Sequence, residues 1–156
     1  MNFKFLLISL NLILCGCSYT SASIHNNTSL EETYFNVVTK NIILDEEIPI
    51  SLKKSIVHWF DNKVFLNGLN GSVIISLNNY SEKIIIINQG KKVDISIDFF
   101  RDIENNDRSK MRKISGSINS YRTIEGNFSI NDFEKLIQQT QHDLVLRLSK
   151  DLKKNI

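Results

Sequence analysis

The chain is short of the residues that most often announce chemistry. It has two cysteines, at positions 15 and 17, three histidines and a single tryptophan in 156 residues. So little cysteine excludes a disulfide framework and a zinc site built of four thiolates, and the histidines stand too far apart for a His-Glu-x-x-His pair. Charge of one sign is lacking too. The formal net charge is +2, so no global field attracts nucleic acid. With one proline and six glycines the sequence is neither a proline-rich linker nor a low-complexity tract. No Gly-x-Ser-x-Gly elbow occurs, and Asn67-Gly68-Leu69-Asn70-Gly71 lacks the Lys-Ser/Thr ending of a phosphate loop and reads as a turn. A metal, a cofactor and nucleic acid are all unexpected.

The one long apolar run is at the start. Lys4 supplies a positive charge, Phe5 to Leu14 is apolar apart from Ser9 and Asn11, and Leu14-Cys15-Gly16-Cys17-Ser18 closes the run. That is the layout of a secretory signal and is too short for a spanning helix. Leu-Cys-Gly-Cys resembles the lipobox of bacterial lipoproteins. The resemblance implies that Cys17 takes the lipid, Gly16 is the small residue before the cut and Leu14 the apolar residue at minus three. Two alternatives stay open: acylation at Cys15, against which the bulk of Leu14 argues, and an ordinary signal-peptidase cut after Ala22. In lipoproteins an Asp after the cysteine favours retention in the inner membrane. Ser18 stands here, which implies the outer membrane of a Gram-negative envelope. Expected boundaries are therefore a signal peptide at 1–16, a lipidated flexible tether at 17–32 and one α+β domain at 33–156. Losing residues 1–16 removes Lys4 and leaves 140 residues of formal charge +1, enough for a single core.

Ser18 to Glu32 is small and polar and cannot bury enough apolar surface to order itself. Tyr34 to Leu44 reads as a first strand, with Val38, Ile42 and Leu44 inward. Pro49 or Ser51 then opens an amphipathic helix over about 50–62, burying Leu52, Ile56, Trp59 and Phe60. Ser72 to Asn78 alternates, with Val73, Ile75 and Leu77 on one side. Ile84-Ile85-Ile86-Ile87 is a continuous apolar run, consistent with a strand buried on both faces or with a pairing edge. After Asn88-Gln89-Gly90, Val93, Ile95, Ile97 and Phe99 alternate with Asp94, Ser96 and Asp98, as in an antiparallel sheet with one dry face. A further strand from Lys110 to about Tyr121 places Ile114, Gly116 and Ile118 inward. Ser129 and Asp132 then open a helix reaching Lys154. Its apolar stripe runs from Ile130 and Phe133 through Leu144 to Leu152, and Leu146 falls outside it as a candidate contact residue.

The expected fold is thus α+β: a mostly antiparallel sheet of four to five strands with two helices on one face, in the order β-α-β-β-β-α. Behind a lipobox, this order of elements is similar to the auxiliary lipoproteins of ABC-type lipid transport systems and to the lipoprotein of the lipopolysaccharide-assembly barrel. The Gly-Tyr/Phe start of the latter is absent, Ser18-Tyr19 standing in its place. Trp59 to Gly71 also resembles uncharacterised small Gram-negative lipoproteins. These likenesses imply a non-enzymatic, lipid-anchored periplasmic domain that serves as an accessory subunit of an envelope transport or assembly machine. The alternative is a domain binding lipid or a small apolar ligand between helix and sheet; an envelope hydrolase ranks third. The expected partners are the membrane, through the lipid, and an envelope protein. Arg108, Lys110, Arg112 and Lys113 form a basic cluster that is the candidate partner-binding site, although a solvated hairpin is the simpler account of such a cluster.

Overall fold

A computed structural model describes residues 30–104 and 112–154. Its elements are β1 (Thr33–Phe35), β2 (Thr39–Leu44), α1 (Ile50–Lys63), β3 (Val64–Leu66), β4 (Ser72–Ile87), β5 (Gly90–Glu104), β6 (Arg112–Glu125) and α2 (Ile130–Lys154). The main sheet has the order β2-β4-β5-β6; its last three strands form an antiparallel meander and β2 joins β4 in parallel. The expected α+β architecture is the one observed, with a smaller parallel sheet of β1 and β3 added to it.

The expected first strand is in fact two. Tyr34 and Val38 are exposed while Phe35 and Val37 are buried, the reverse of the anticipated phase. The chain leaves the small sheet after Phe35 and joins the large one at Thr39, where Val38 N and Thr39 N both donate to Gly71 O. The step between sheets resets the alternation. Gly68 is needed there, because a Cβ would lie 2.3 Å from the backbone nitrogen of Val37.

The core lies between the sheet and the two helices. Odd residues of β4 and β5, from Val73, Ile75 and Leu77 to Val93, Ile95, Ile97 and Phe99, point into it. α1 buries Leu52, Ile56, Trp59 and Phe60 as its spacing requires. α2 lies along β5 and β6, and Ser129 and Asp132 close its N-terminus reciprocally. Asp132 N donates to Ser129 Oγ at 3.2 Å, and Ser129 N donates to Asp132 Oδ2 at 3.0 Å. Leu146 is not the outlying leucine its position implied. It is buried at 8% exposure beside Val145, so the buried sector of α2 is wider than one stripe; α2 touches α1 and β1 as well as the sheet. Each large aliphatic side chain buried this way contributes about 1.5–3 kcal/mol before entropy is counted.

Candidate functional site

Leu14, Gly16 and Cys17 lie outside the described residues, as do Arg108 and Lys110 of the basic cluster. Arg112 and Lys113 are described and open β6, opposite Ile103 and Asp102. Both are exposed, and Lys113 Nζ is already 3.4 Å from Asp102 Oδ2. On the uncovered side of the sheet next to them is a shallow hollow of about 310 Å³, lined by Ile74, Ser76, Phe100, Asp102, Lys113 and Ser115. Phe100 and Ile43 flank Ser76 across the strands, and both are about half exposed. This end of the open face therefore combines a small apolar patch with an ion pair.

Directly beneath, on the covered face, is a residue that sequence reasoning passed over. Arg101 is 1% exposed. Its Nη1 donates to Leu152 O at 3.0 Å, in the last turn of α2, and its guanidinium lies 5.7 Å from the centre of the Phe35 ring. Burial first, and the charge of Arg112 second, hold its pKa below the ordinary arginine value. The signal was present: the alternation that turns Val93 through Phe99 inward also turns Arg101 inward. Lys40 serves α1 in the same way, its Nζ donating to Phe60 O and Val64 O, each at 2.6 Å. A cation from the sheet thus meets the negative end of each helix. Arg122 completes the docking of α2, its Nε and Nη2 donating to the two oxygens of Asp143 at 2.7 and 3.2 Å.

The second exposed region is the outer half of β4. Between Asn78, opposite Asp98, and Ser81, opposite Ser96, two residues face one, making a bulge. Asn79 takes φ +51° there and donates from Nδ2 to Asp98 Oδ2 at 3.0 Å. That bond, and then one with Ser117, holds Asp98 below the usual carboxylate range. Tyr80 turns into the core margin and donates to Glu82 Oε2 at 2.5 Å; burial first, then this bond, push the phenol upward. Beyond the bulge the phase changes, and Glu82, Ile84 and Ile86, opposite Ile95, Val93 and Lys91, take the helix side. β2 has ended by then, its last pair being Leu44 with Leu77. Among the described residues nothing pairs with the other side of 81–87. Ile84, Ile85 and Ile86 are 51%, 42% and 83% exposed, so the isoleucine run is a pairing edge and not a doubly buried strand.

The remaining polar residues singled out in the sequence are dispersed. His58 and His142 are exposed on the outer sides of α1 and α2, and Asp94 is 3.0 Å from Lys92. Among the described residues no helix is long and apolar enough to cross a membrane.

No protein-family model matches the chain, and no curated protein shows significant sequence similarity to it. The fold is similar to that of a minor lipoprotein from Acinetobacter baumannii, with a TM-score of 0.53 and 14% identity over 76% of this chain and 94% of that one. Rare lipoprotein B from Shewanella oneidensis (TM-score 0.48, 9% identity, 74% and 90% covered) also aligns with it. So does an uncharacterized lipoprotein B from Nitrosomonas europaea (0.48, 8%, 79% and 86%). These structural neighbours are bacterial lipoproteins. At such identities the likeness is one of fold, and the Acinetobacter protein carries it.

Proposed function

We propose that this chain is a non-enzymatic, lipid-anchored module of the bacterial envelope. Residues 1–16 direct its export, Cys17 carries the lipid and 17–32 tether a domain over 33–156 to the periplasmic face of the outer membrane. There it acts as an accessory subunit of a transport or assembly machine. The observation that carries this reading is the sequence Leu14-Cys15-Gly16-Cys17, standing ahead of a domain whose fold is similar to that of a bacterial lipoprotein. Two or three acyl chains on one cysteine hold a protein firmly to a bilayer, where one holds it marginally. A module kept there meets its partner at raised effective concentration. The basic cluster of Arg108, Lys110, Arg112 and Lys113 is assigned to that partner, and of these Arg112 and Lys113 open β6 next to the Phe100 hollow. The alternative, an apolar ligand held between helix and sheet, finds little room. Leu52, Trp59, Ile75 and Ile95 fill that layer at 0% exposure.

Acyl labelling and fractionation test the anchor. Cys17→Ala is expected to lose the label and leave the membrane fraction, while Cys15→Ala keeps both. Continued membrane association of Cys17→Ala would refute the lipid anchor. Crosslinking in intact cells followed by mass spectrometry tests the accessory role. Arg112→Glu with Lys113→Glu should weaken capture of the partner and leave the melting temperature unchanged. Turnover of an envelope substrate by the purified protein, lost on changing one polar residue, would replace this reading with an enzyme.

A further inference from the structure

The two outer edges of the main sheet are treated differently. β6 ends the sheet on one side, and its exposed residues are mostly polar: Arg112, Lys113, Ser115, Ser117, Asn119 and Thr123, with Tyr121 the one large exception. Charges and polar groups of this kind discourage a foreign strand from adding on. β4 is covered by β2 over Ser72–Leu77 only, and Asp45 N donating to Leu77 O is the last backbone bond on that side. The stretch 81–87 then runs on with β5 as its single neighbour among the described residues. From Ile84 to Ile87 it has no proline, no charge and no bulge. Alternate residues direct N–H and C=O groups outward beside large, exposed isoleucine side chains. An edge left this bare is a template for another strand.

We infer that the strand it takes is the same segment of a second copy of this chain, paired antiparallel so that two four-stranded sheets join through β4. The sequence of the segment selects this occupant. Four consecutive isoleucines read the same in both directions. With Ile85 opposite Ile85 of the second copy, Ile84 meets Ile86 and Ile86 meets Ile84, so every exposed isoleucine gains an isoleucine neighbour on its own face. Charge selects the direction. Parallel pairing in register would set Glu82 against Glu82 and Lys83 against Lys83. Antiparallel pairing sends these charges to opposite ends of the block, facing Asn88 and Ile87, and like charges opposed across strands are destabilising.

The shape of the edge permits it as well. In this register the Asn88-Gln89 turn of the second copy comes beside Glu82 and Ser81. It stops on the far side of the Asn79–Tyr80 bulge from Leu77, where β2 ends. A two-fold axis normal to the sheet keeps both helix layers on one side, so neither copy meets the other's helices across the sheet plane. A contact made of one short strand pair belongs with small, transient interfaces. The dimer is accordingly weak in dilute solution and strengthened wherever copies are concentrated. This inference is independent of the lipid-anchor reading.

Photocrosslinking of the full chain, purified in detergent micelles, tests it. Benzoylphenylalanine in place of Ile86 should give a product of twice the chain mass. Its crosslinked peptides should join the probe to the 81–89 segment. The same probe in place of Tyr121, which is 58% exposed on β6, should give no such product. With the probe at Ile85, adding Ile84→Lys and Ile86→Lys should lower the dimer yield about tenfold. Those side chains already face solvent, so the melting temperature should stay the same. Three results would overturn the proposal: no dimer from the Ile86 probe, a dimer indifferent to the two lysines, or a purified chain that stays monomeric while the probe in cells marks a protein of different mass. The last would identify the occupant as a strand of another protein.

Discussion

Ser72–Leu77 and Ser81–Ile87 belong to one strand, pair with the same neighbour and are both rich in isoleucine, yet they live in different surroundings. In the first stretch Val73, Ile75 and Leu77 are at most 1% exposed, with β2 alongside and helices above. In the second, three isoleucines are about half exposed or more. Aliphatic content does not distinguish the two. Two structural facts do: β2 stops at Leu44, and the bulge at Asn79–Tyr80 moves the inward phase from odd to even residues. Hydrophobic sequence in a strand therefore reports a capacity for burial, and the neighbours decide whether it is used within the chain or left for another.

The sharpest way to break this contrast is to place a charge in each half. Ile75→Asp puts an unpaired carboxylate where nothing is exposed and should cost several kcal/mol, enough to unfold a marginal domain. Ile86→Asp should shift stability by less than about 0.5 kcal/mol, since that side chain is already in water. Thermal melts of the two proteins check this; equal losses would mean that the outer half is covered after all.

The covered half depends on α2 being held down, so its attachments come next. Arg101→Ala removes the buried cation at the end of α2, leaves Leu152 O short of a partner and should cost about 2–4 kcal/mol. Arg122→Ala breaks a half-exposed bidentate pair and should cost about 1 kcal/mol or less. Urea titrations rank the two, and the reverse order would mean that α2 is anchored at its middle and not at its end.

The bulge sets the phase of the outer half and gives a smaller effect. Asn79→Ala keeps the left-handed backbone but loses the side chain best suited to it, together with the bond to Asp98, and should cost about 1 kcal/mol. Asn79→Gly should recover much of that loss. Chemical denaturation checks both; an Asn79→Gly as unstable as Asn79→Ala would show that the amide, and not the backbone, holds the bulge.

Smallest is the effect of acid on the start of α2. The hydrogen bonds from Ser129 hold the Asp132 carboxyl below its ordinary range, the side-chain bond contributing first and the backbone bond second. A carboxyl depressed in the folded state adds stability that is fully present above its unfolded pKa and is lost as pH falls through the folded one. Asp132→Asn should therefore lower stability slightly at neutral pH and flatten the acid limb, the two proteins converging as pH falls through the folded pKa. An acid limb identical to that of the unaltered protein would remove the capping role.

Much of this was legible because it is local. The Val93–Phe99 alternation, the α1 face of Leu52, Ile56, Trp59 and Phe60, and the Ser129–Asp132 start of α2 depend on spacings of two, three and four residues, which the backbone imposes wherever such a segment lies. What was misread depends on neighbours distant in sequence. Val38 lies outside, and Phe35 and Val37 inside, because the chain steps from one sheet to another between Phe35 and Thr39. Leu146 is buried although it falls outside the stripe, on a helix that meets α1 and β1 as well as the sheet. Arg101 was hidden because an arginine is expected in water, although its position in the alternation pointed inward. Of the candidate site, Arg112 and Lys113 were legible as an exposed pair, whereas the Phe100 hollow beside them needs β4, β5 and β6 side by side.

By itself, then, the amino-acid order determined both helices, the inward alternation of Val73–Leu77 and Val93–Phe99 and the Leu14–Cys17 signature, because side-chain periodicity and short motifs are written within a few consecutive residues. Tertiary structure alone decided that β2 covers half of β4, that a bulge reverses the phase of the remainder, and that Ile84–Ile87 is left as an open edge. Those outcomes depend on where one strand ends beside another, and the length of a neighbouring strand is not encoded in the strand it leaves uncovered.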